Sequence, residues 1–378
     1  MRVNEIVVKV TSVCNLSCRY CHVFNKSDKS YQNEPNVMSL DIVSKLLERI
    51  EEYCAKYNQK QMLLILHGGE PLLAGKEFYR TFVEQSKRIV KSANVGFSLQ
   101  SNGTLVTDEW CRLFKELNIQ VGISIDGDYA SSKNRIFKSN GEEAFHSIMK
   151  GYEVLSKYAY PHVLSVCNIN VSPKVFYDYM KSIDIYFFDC LFPDANYTTP
   201  SDRAPQLGQW LIELFDIWYF SEDNQKPHIR LFELIIRLIL GQSTSGNETV
   251  GRGYNGVIDI KADGTIDIVD SLKNCKDGKR RKEYNILHDS LDSIFENDVY
   301  NLYYNSHQDV VLCPRCQQCA IKDVCGGGHL SHRFSQSNGY DNPSIYCDDM
   351  LKLISHIQHC LVDDLPSDVV KQTQITKL

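Results

Sequence analysis

Nowhere does the chain hold an uninterrupted apolar run of the roughly 18 residues that a membrane helix needs. The opening stretch, Met1 to Val10, is apolar only over the length of a strand and has no small-residue cleavage site, so it reads neither as a secretory signal nor as a span. Long basic runs are missing too, and the net charge is −6, which argues against a nucleic-acid groove. No internal repeat stands out. These absences point to a cytoplasmic chain with no membrane and no nucleic-acid partner.

Cysteine is what the chain does not lack. There are 14 among 378 residues. A chain of this length buries a sizeable core without covalent staples, and a reducing cytoplasm disfavours disulfides. The distribution is more telling than the number. Cys14, Cys18 and Cys21 crowd together, and Cys313, Cys316, Cys319, Cys325 and Cys347 form a second group. Short fixed spacings of this kind suggest metal or iron–sulfur ligands. Cys54, Cys111, Cys167, Cys190 and Cys360 are scattered, and read as small buried hydrophobes.

The first two-thirds alternate between strand-like and helix-like patterns. Glu5–Val10 reads as a strand, and Ser39 to Asn58 as a helix with Ile42, Val43, Leu46, Leu47, Ile50 and Tyr53 on one face. Met62–Leu66, Val95–Leu99, Gln120–Ile125, Val163–Ile169 and Ile183–Phe188 read as five more strands, with helical patterns between them. Thr107 suits a helix cap, and Ser172-Pro173 a helix start. Six such rounds call for an α/β fold with a parallel sheet covered by helices. Cys14, Gly68, Asn102 and Asp126 all fall just beyond predicted strands, at the end where parallel sheets carry chemistry. A polar break near 241–253 marks a boundary. Ala262-Asp263-Gly264 then signals a hairpin, and a cysteine-rich segment follows. The expected division is 1–240, 241–360 and a weakly ordered tail over 361–378.

Cys14, Cys18 and Cys21 have the spacing C-x3-C-x2-C. Three thiolates hold three irons of a 4Fe–4S cube and leave the fourth open to chelate a small molecule. A zinc site with His22 as fourth ligand is the bland alternative. The triplet, with aromatic Tyr20 before its last cysteine, resembles the radical S-adenosylmethionine (SAM) signature. His67-Gly68-Gly69-Glu70-Pro71 resembles that superfamily's Gly-Gly-Glu motif, which contacts the SAM amino group. Glycines let backbone approach a ligand, and Glu70 can accept from an ammonium. Gln100 to Thr104, with Asn102, resembles the strand end near the SAM ribose, and Ser124 to Gly127 the next one. Arg135 sits where related enzymes place an arginine against the SAM carboxylate. The resemblance implies a partial (β/α)6 barrel.

Cys316, Cys319, Cys325 and Cys347, within residues 256–357, resemble the SPASM extension of radical SAM peptide maturases. That resemblance implies an auxiliary 4Fe–4S cluster, with a zinc ribbon as the alternative. His329 stands where many SPASM proteins carry a further cysteine, so a second auxiliary cluster would have to draw on Cys275, Cys313 and His329, or be absent. The Cys325-Gly-Gly-Gly-His329 run, His332-Arg333 and Asp341 to Cys347 resemble the group that includes the three-residue cyclophane-forming maturases. The implied function is a carbon–carbon crosslink between an aromatic ring and a β-carbon of a ribosomally made precursor peptide, started by a 5′-deoxyadenosyl radical. An external flavodoxin- or ferredoxin-type donor is implied. Asp270, after the hairpin, is the expected base, while His329, His332 and Arg333 are further candidates for peptide contact. The chain opens almost at its first strand, so leader recognition is expected on the barrel, the cysteine-rich region or another protein. Formylglycine formation in a sulfatase and thioether formation are the alternative chemistries. A non-catalytic iron–sulfur sensor is the alternative from another class.

Overall fold

The computed structural model describes residues 2–21, 23–25, 29–243, 248–275 and 284–366. Six strand–helix rounds open it: β1 (Glu5–Thr11) and α1 (Leu40–Tyr57), β2 (Gln61–Gly68) and α2 (Lys76–Ile89), β3 (Asn94–Ser101) and α3 (Asp108–Leu117), β4 (Ile119–Ser124) and α4 (Phe145–Ser156), β5 (His162–Val166) and α5 (Pro173–Ser182), β6 (Phe187–Leu191) and α6 (Leu207–Tyr219). Then come β7 (His228–Ile229), α7 (Arg230–Ile239), the hairpin β8 (Val257–Ile260) and β9 (Thr265–Asp267), and β10 (Tyr284–Asn285). Among the described residues four helices follow: α8 (Asp298–Tyr304), α9 (Pro314–Gln317), α10 (Lys322–Cys325) and α11 (Cys347–Asp364).

β1 to β7 lie side by side in chain order, each parallel to the next. Their C-terminal ends therefore share one edge, which is where the motifs fall. β8 pairs in parallel with the other side of β1, and β9 and β10 continue antiparallel beyond it. β10 and β7 are the two edges, so the expected partial barrel is open and is extended on both sides. The residues expected in a separate unit thus begin by enlarging the first unit's sheet.

Local signals account for the helices. The Ser39 hydroxyl accepts from Ile42 N–H at 3.3 Å, and α1 ends on left-handed Asn58. The apolar face read from the spacing of Ile42 to Tyr53 is buried. Thr107 caps α3, and Ser172 with Pro173 starts α5. β6 begins later than expected. Ile185 N–H closes back onto the Met180 carbonyl around left-handed Asp184, so the first part of the apolar run finishes α5.

α11 is the element the sequence concealed. Its Met350, Leu353, Ile354, Ile357 and Leu361 are buried, yet the helix starts at a cysteine and interleaves His and Asp with its apolar residues. It runs to Asp364, past the start of the expected tail, whose residues 367–378 lie outside the described ones. Buried apolar side chains form two large clusters, one joining β1–β3 to α1–α3 and the hairpin, the other joining β4–β6 to α4–α7 and α11. No helix among the described residues is long and apolar enough to cross a membrane.

Candidate active site

The loop after β1 carries the first three cysteines, and hydrogen bonds fasten it on both sides. Ser17 N–H donates to the Ile136 carbonyl (2.8 Å), Arg19 N–H to Asn134 (2.9 Å), and Lys138 N–H to Asn15 (2.9 Å). Asn102, at the end of β3, donates from Nδ2 to Asn15 Oδ1 at 2.9 Å. The Gly-Gly-Glu turn closes on the same loop. Gly69 N–H donates to the Thr11 carbonyl (3.1 Å) and Glu70 N–H to Val13 (2.9 Å). A Cβ on Gly69 would sit 2.0 Å from the Val13 oxygen, which is why glycine is needed there.

These elements enclose a cavity of about 340 Å³. Cys14, Cys18, Cys21, Gly68, Gly69, Gln100, Asn102, Ser124 and Arg135 all line it. Gln100 Nε2 donates to Ser124 Oγ at 3.0 Å, joining two of the strand ends. His22, the alternative zinc ligand, lies outside the described residues. Burial pushes the Cys14 thiol up to about 12 and the Cys18 thiol to about 11, so thiolates at neutral pH need a cation among them. Three converging thiols beside open space fit an iron–sulfur cluster with one iron left for a ligand.

Two expected SAM contacts have other partners. Glu70 is fully buried and is not among the lining side chains. Its Oε1 accepts from Leu72 N–H (3.0 Å) and Ser101 Oγ (2.9 Å), and its Oε2 from Asn102 N–H (2.8 Å). The carboxyl braces the ends of β2 and β3, and Gly68 and Gly69 present the motif to the cavity. Arg135 reaches the cavity wall, but its Nε and Nη2 donate to Asp126 at 2.8 and 2.9 Å. The Tyr20 hydroxyl donates to the same carboxylate at 2.6 Å, and its ring lies 5.5 Å from the guanidinium. The aromatic of the signature thus ties the cysteine loop to the end of β4.

Asp270 is buried between two lysines, Lys9 from β1 and Lys273. Its neighbour Ser271 lines the cavity in its place. His329 and His332 line the cavity as well. Arg333 does not. It is fully buried, and donates to the carbonyls of Ser306, Gly326, Gly327 and Gly328. Sequence reading passed over Thr249 and Asp194, which come to the wall from loops with no motif. Cys190, buried as expected, also lines it, and Cys360 is only half-buried, 3.7 Å from His356 Nε2.

A second cavity, about 190 Å³, is lined by Cys316, Cys319, Cys325 and Cys347. Burial, with neighbouring Cys313, pushes Cys316 up to about 12, and burial pushes Cys325 to about 11. Arg333 makes no ion pair with a carboxylate among the described residues, so the buried cation next to these thiols calls for negative charge. A cluster held by the four thiolates would supply it. The residues named for a further cluster have different neighbours. Cys275 donates to the Ser331 carbonyl at 3.7 Å, Cys313 lies against Cys316, and His329 faces the first cavity.

Residues 8–184 match the Radical SAM superfamily. Over that stretch the chain carries a radical SAM domain. Its cofactors are accordingly SAM and a 4Fe–4S cluster. The chain is 27% identical over 385 residues to a serine-type anaerobic sulfatase-maturating enzyme of Bacteroides thetaiotaomicron, covering 93% of this chain and 88% of that protein. It is 27% identical over 362 residues to a cysteine-type one of Clostridium novyi, covering 91% and 92%. Among solved structures, anSMEcpe with bound AdoMet aligns at TM-score 0.78 and 23% identity over 95% of this chain and 98% of that one. Streptococcus suis SuiB bound to precursor peptide SuiA aligns at 0.60 and 14%, over 92% and 76%. These two likenesses show a shared fold.

Proposed function

We propose that this radical SAM enzyme modifies a peptide, removing two hydrogens to join an aromatic ring carbon to a side-chain β-carbon. The observation that carries the peptide reading is the cavity itself. The three cysteines and the Gly-Gly turn share it with Ser271, His329 and His332 from the cysteine-rich region.

Cys14, Cys18 and Cys21 would hold the first cluster, and Cys316, Cys319, Cys325 and Cys347 an auxiliary one. When bound, the first cluster and SAM supply a 5′-deoxyadenosyl radical able to take hydrogen from an unactivated carbon. The chain's own part is positioning and exclusion of water. Gly68 and Gly69 keep backbone close to the cysteine loop, Arg135 is oriented by Asp126, and Phe24, Leu164, Leu191 and Phe192 give the cavity apolar walls. Residues 1–240 would form the radical SAM unit and 241–360 the auxiliary-cluster unit, with electrons from a flavodoxin- or ferredoxin-type protein.

The crosslink reading draws on the Gly-Gly-Gly-His329 and Asp341 to Cys347 runs. Formylglycine formation is the second reading, favoured by the near full-length similarity to sulfatase-maturating enzymes. The test is anaerobic. Reconstituted enzyme with SAM and reductant is given either the short peptide encoded beside its gene or a synthetic peptide with a central serine. Fragment-ion mass spectrometry then locates any loss of two hydrogens. A bond bridging two residues of the encoded peptide supports the crosslink. An aldehyde on the serine moves the assignment to formylglycine, and deoxyadenosine with both peptides unchanged rejects both.

A further inference from the structure

The His329 ring lines the cavity and is engaged at both nitrogens. Nδ1 lies 3.5 Å from Glu248 Oε2, and Nε2 lies 3.1 Å from Thr249 Oγ1. Glu248 is held in turn by the Tyr303 hydroxyl, which donates to Oε1. Burial works against the charge of Glu248, but hydrogen bonds from His329 and Tyr303 hold its carboxyl below the ordinary range. An ionised carboxylate only accepts, so it keeps the proton of neutral His329 on Nδ1. That leaves the lone pair on Nε2, the nitrogen beside Thr249, and Thr249 also lines the cavity.

Asp270, Glu70 and His332 are less suited. Asp270 lies between Lys9 and Lys273. The Glu70 carboxyl accepts from three donors and is not among the side chains that line the cavity. Burial, with His329 and Arg333 close by, holds His332 well below the ordinary range. The groups that face His329 are Glu248, His332 and His307, with Arg333 beyond His332.

We propose that His329 Nε2 accepts the proton released in the reaction, with Glu248 as its positioning residue. This rests on the peptide-modifying reading above. The substrate loses two hydrogens. One leaves as a hydrogen atom to the deoxyadenosyl carbon. The other leaves as a proton, forming an N–H bond on His329, and the remaining electron passes to a one-electron acceptor of the iron–sulfur class. In a crosslink the proton comes from the ring carbon after the C–C bond has formed. In aldehyde formation from serine it comes from the hydroxyl.

The experiment compares wild type, His329→Gln, Glu248→Gln, Glu248→Asp and Asp270→Asn holoenzymes in deuterated and ordinary buffer. Both the gene-adjacent peptide and the serine peptide are used. Cluster absorbance and deoxyadenosine formation confirm an intact site. His329→Gln is expected to keep deoxyadenosine formation while modified peptide falls at least tenfold, with deuterium returned to unmodified peptide. Glu248→Gln should lower the product-to-deoxyadenosine ratio, because Nδ1 loses the carboxylate that fixes its proton, and Glu248→Asp should restore most of it. An unchanged product-to-deoxyadenosine ratio in His329→Gln overturns the assignment, as does uncoupling seen in Asp270→Asn instead. If wild type itself leaves both peptides unmodified, the peptide reading falls and takes this assignment with it.

Discussion

Glu70 Oε2 accepts the backbone N–H of Asn102 at 2.8 Å, so a carboxylate from the turn after β2 holds the end of β3. Burial raises the Glu70 carboxyl to about 7 even against its three hydrogen bonds. The native state therefore keeps the proton more tightly than the unfolded chain, and stability from this group is lost as pH rises from about 4.5 through about 7. Glu70→Gln should remove that slope. It should also cost about 1–3 kcal/mol, since an amide NH₂ meets backbone donors. Anaerobic thermal melts between about pH 5.5 and 8 read both effects.

Gly69→Ala should abolish the first cluster. The new Cβ would stand 2.0 Å from the Val13 oxygen, and backbone adjoining Cys14 would have to move. Iron analysis and electron paramagnetic resonance should show one cluster lost and the other kept. Gly96→Ala, whose Cβ would meet Leu63 at an ordinary 3.5 Å, is the matched control and should retain both.

Asp126→Asn should destabilise the fold by about 3–5 kcal/mol, because it leaves the buried Arg135 guanidinium without its anion. Tyr20→Phe removes one hydrogen bond to the same carboxylate and should cost about 1 kcal/mol. Denaturant titration ranks the two. If Asp126→Asn is as mild as Tyr20→Phe, the ion pair is not what holds the loop.

Arg333→Gln should loosen the carbonyls of Gly326, Gly327 and Gly328, next to Cys325, and remove the positive charge near Cys316 and Cys325. Loss of iron should be confined to the four-cysteine site, with SAM cleavage retained. Loss of SAM cleavage alone would place the residue's role at the other cavity.

Much of the fold was legible because its signals are local. The apolar spacing from Ile42 to Tyr53, the caps at Ser39, Thr107 and Ser172, and the glycines after β2 act within a few residues of themselves. α11 was not legible. Its apolar face is made useful only by α6 and α7, distant in sequence, and its polar residues mask the period. The shift of β6 had a similar cause, since one apolar run served both a helix end and a strand.

The sequence by itself determined which residues could carry the chemistry, because ligand spacing in a loop is a property of a short stretch of chain. It determined the two cysteine groups, the Gly-Gly-Glu turn and the strand ends that line the cavity. Tertiary structure decided how the charged residues are spent. Glu70, Arg135, Asp270 and Arg333 all looked available, yet each is engaged by partners from other parts of the chain. A buried charge must be satisfied where it lies, and only the fold brings those partners to it. The same folding left His329, with its Glu248 partner, as a base facing the cavity.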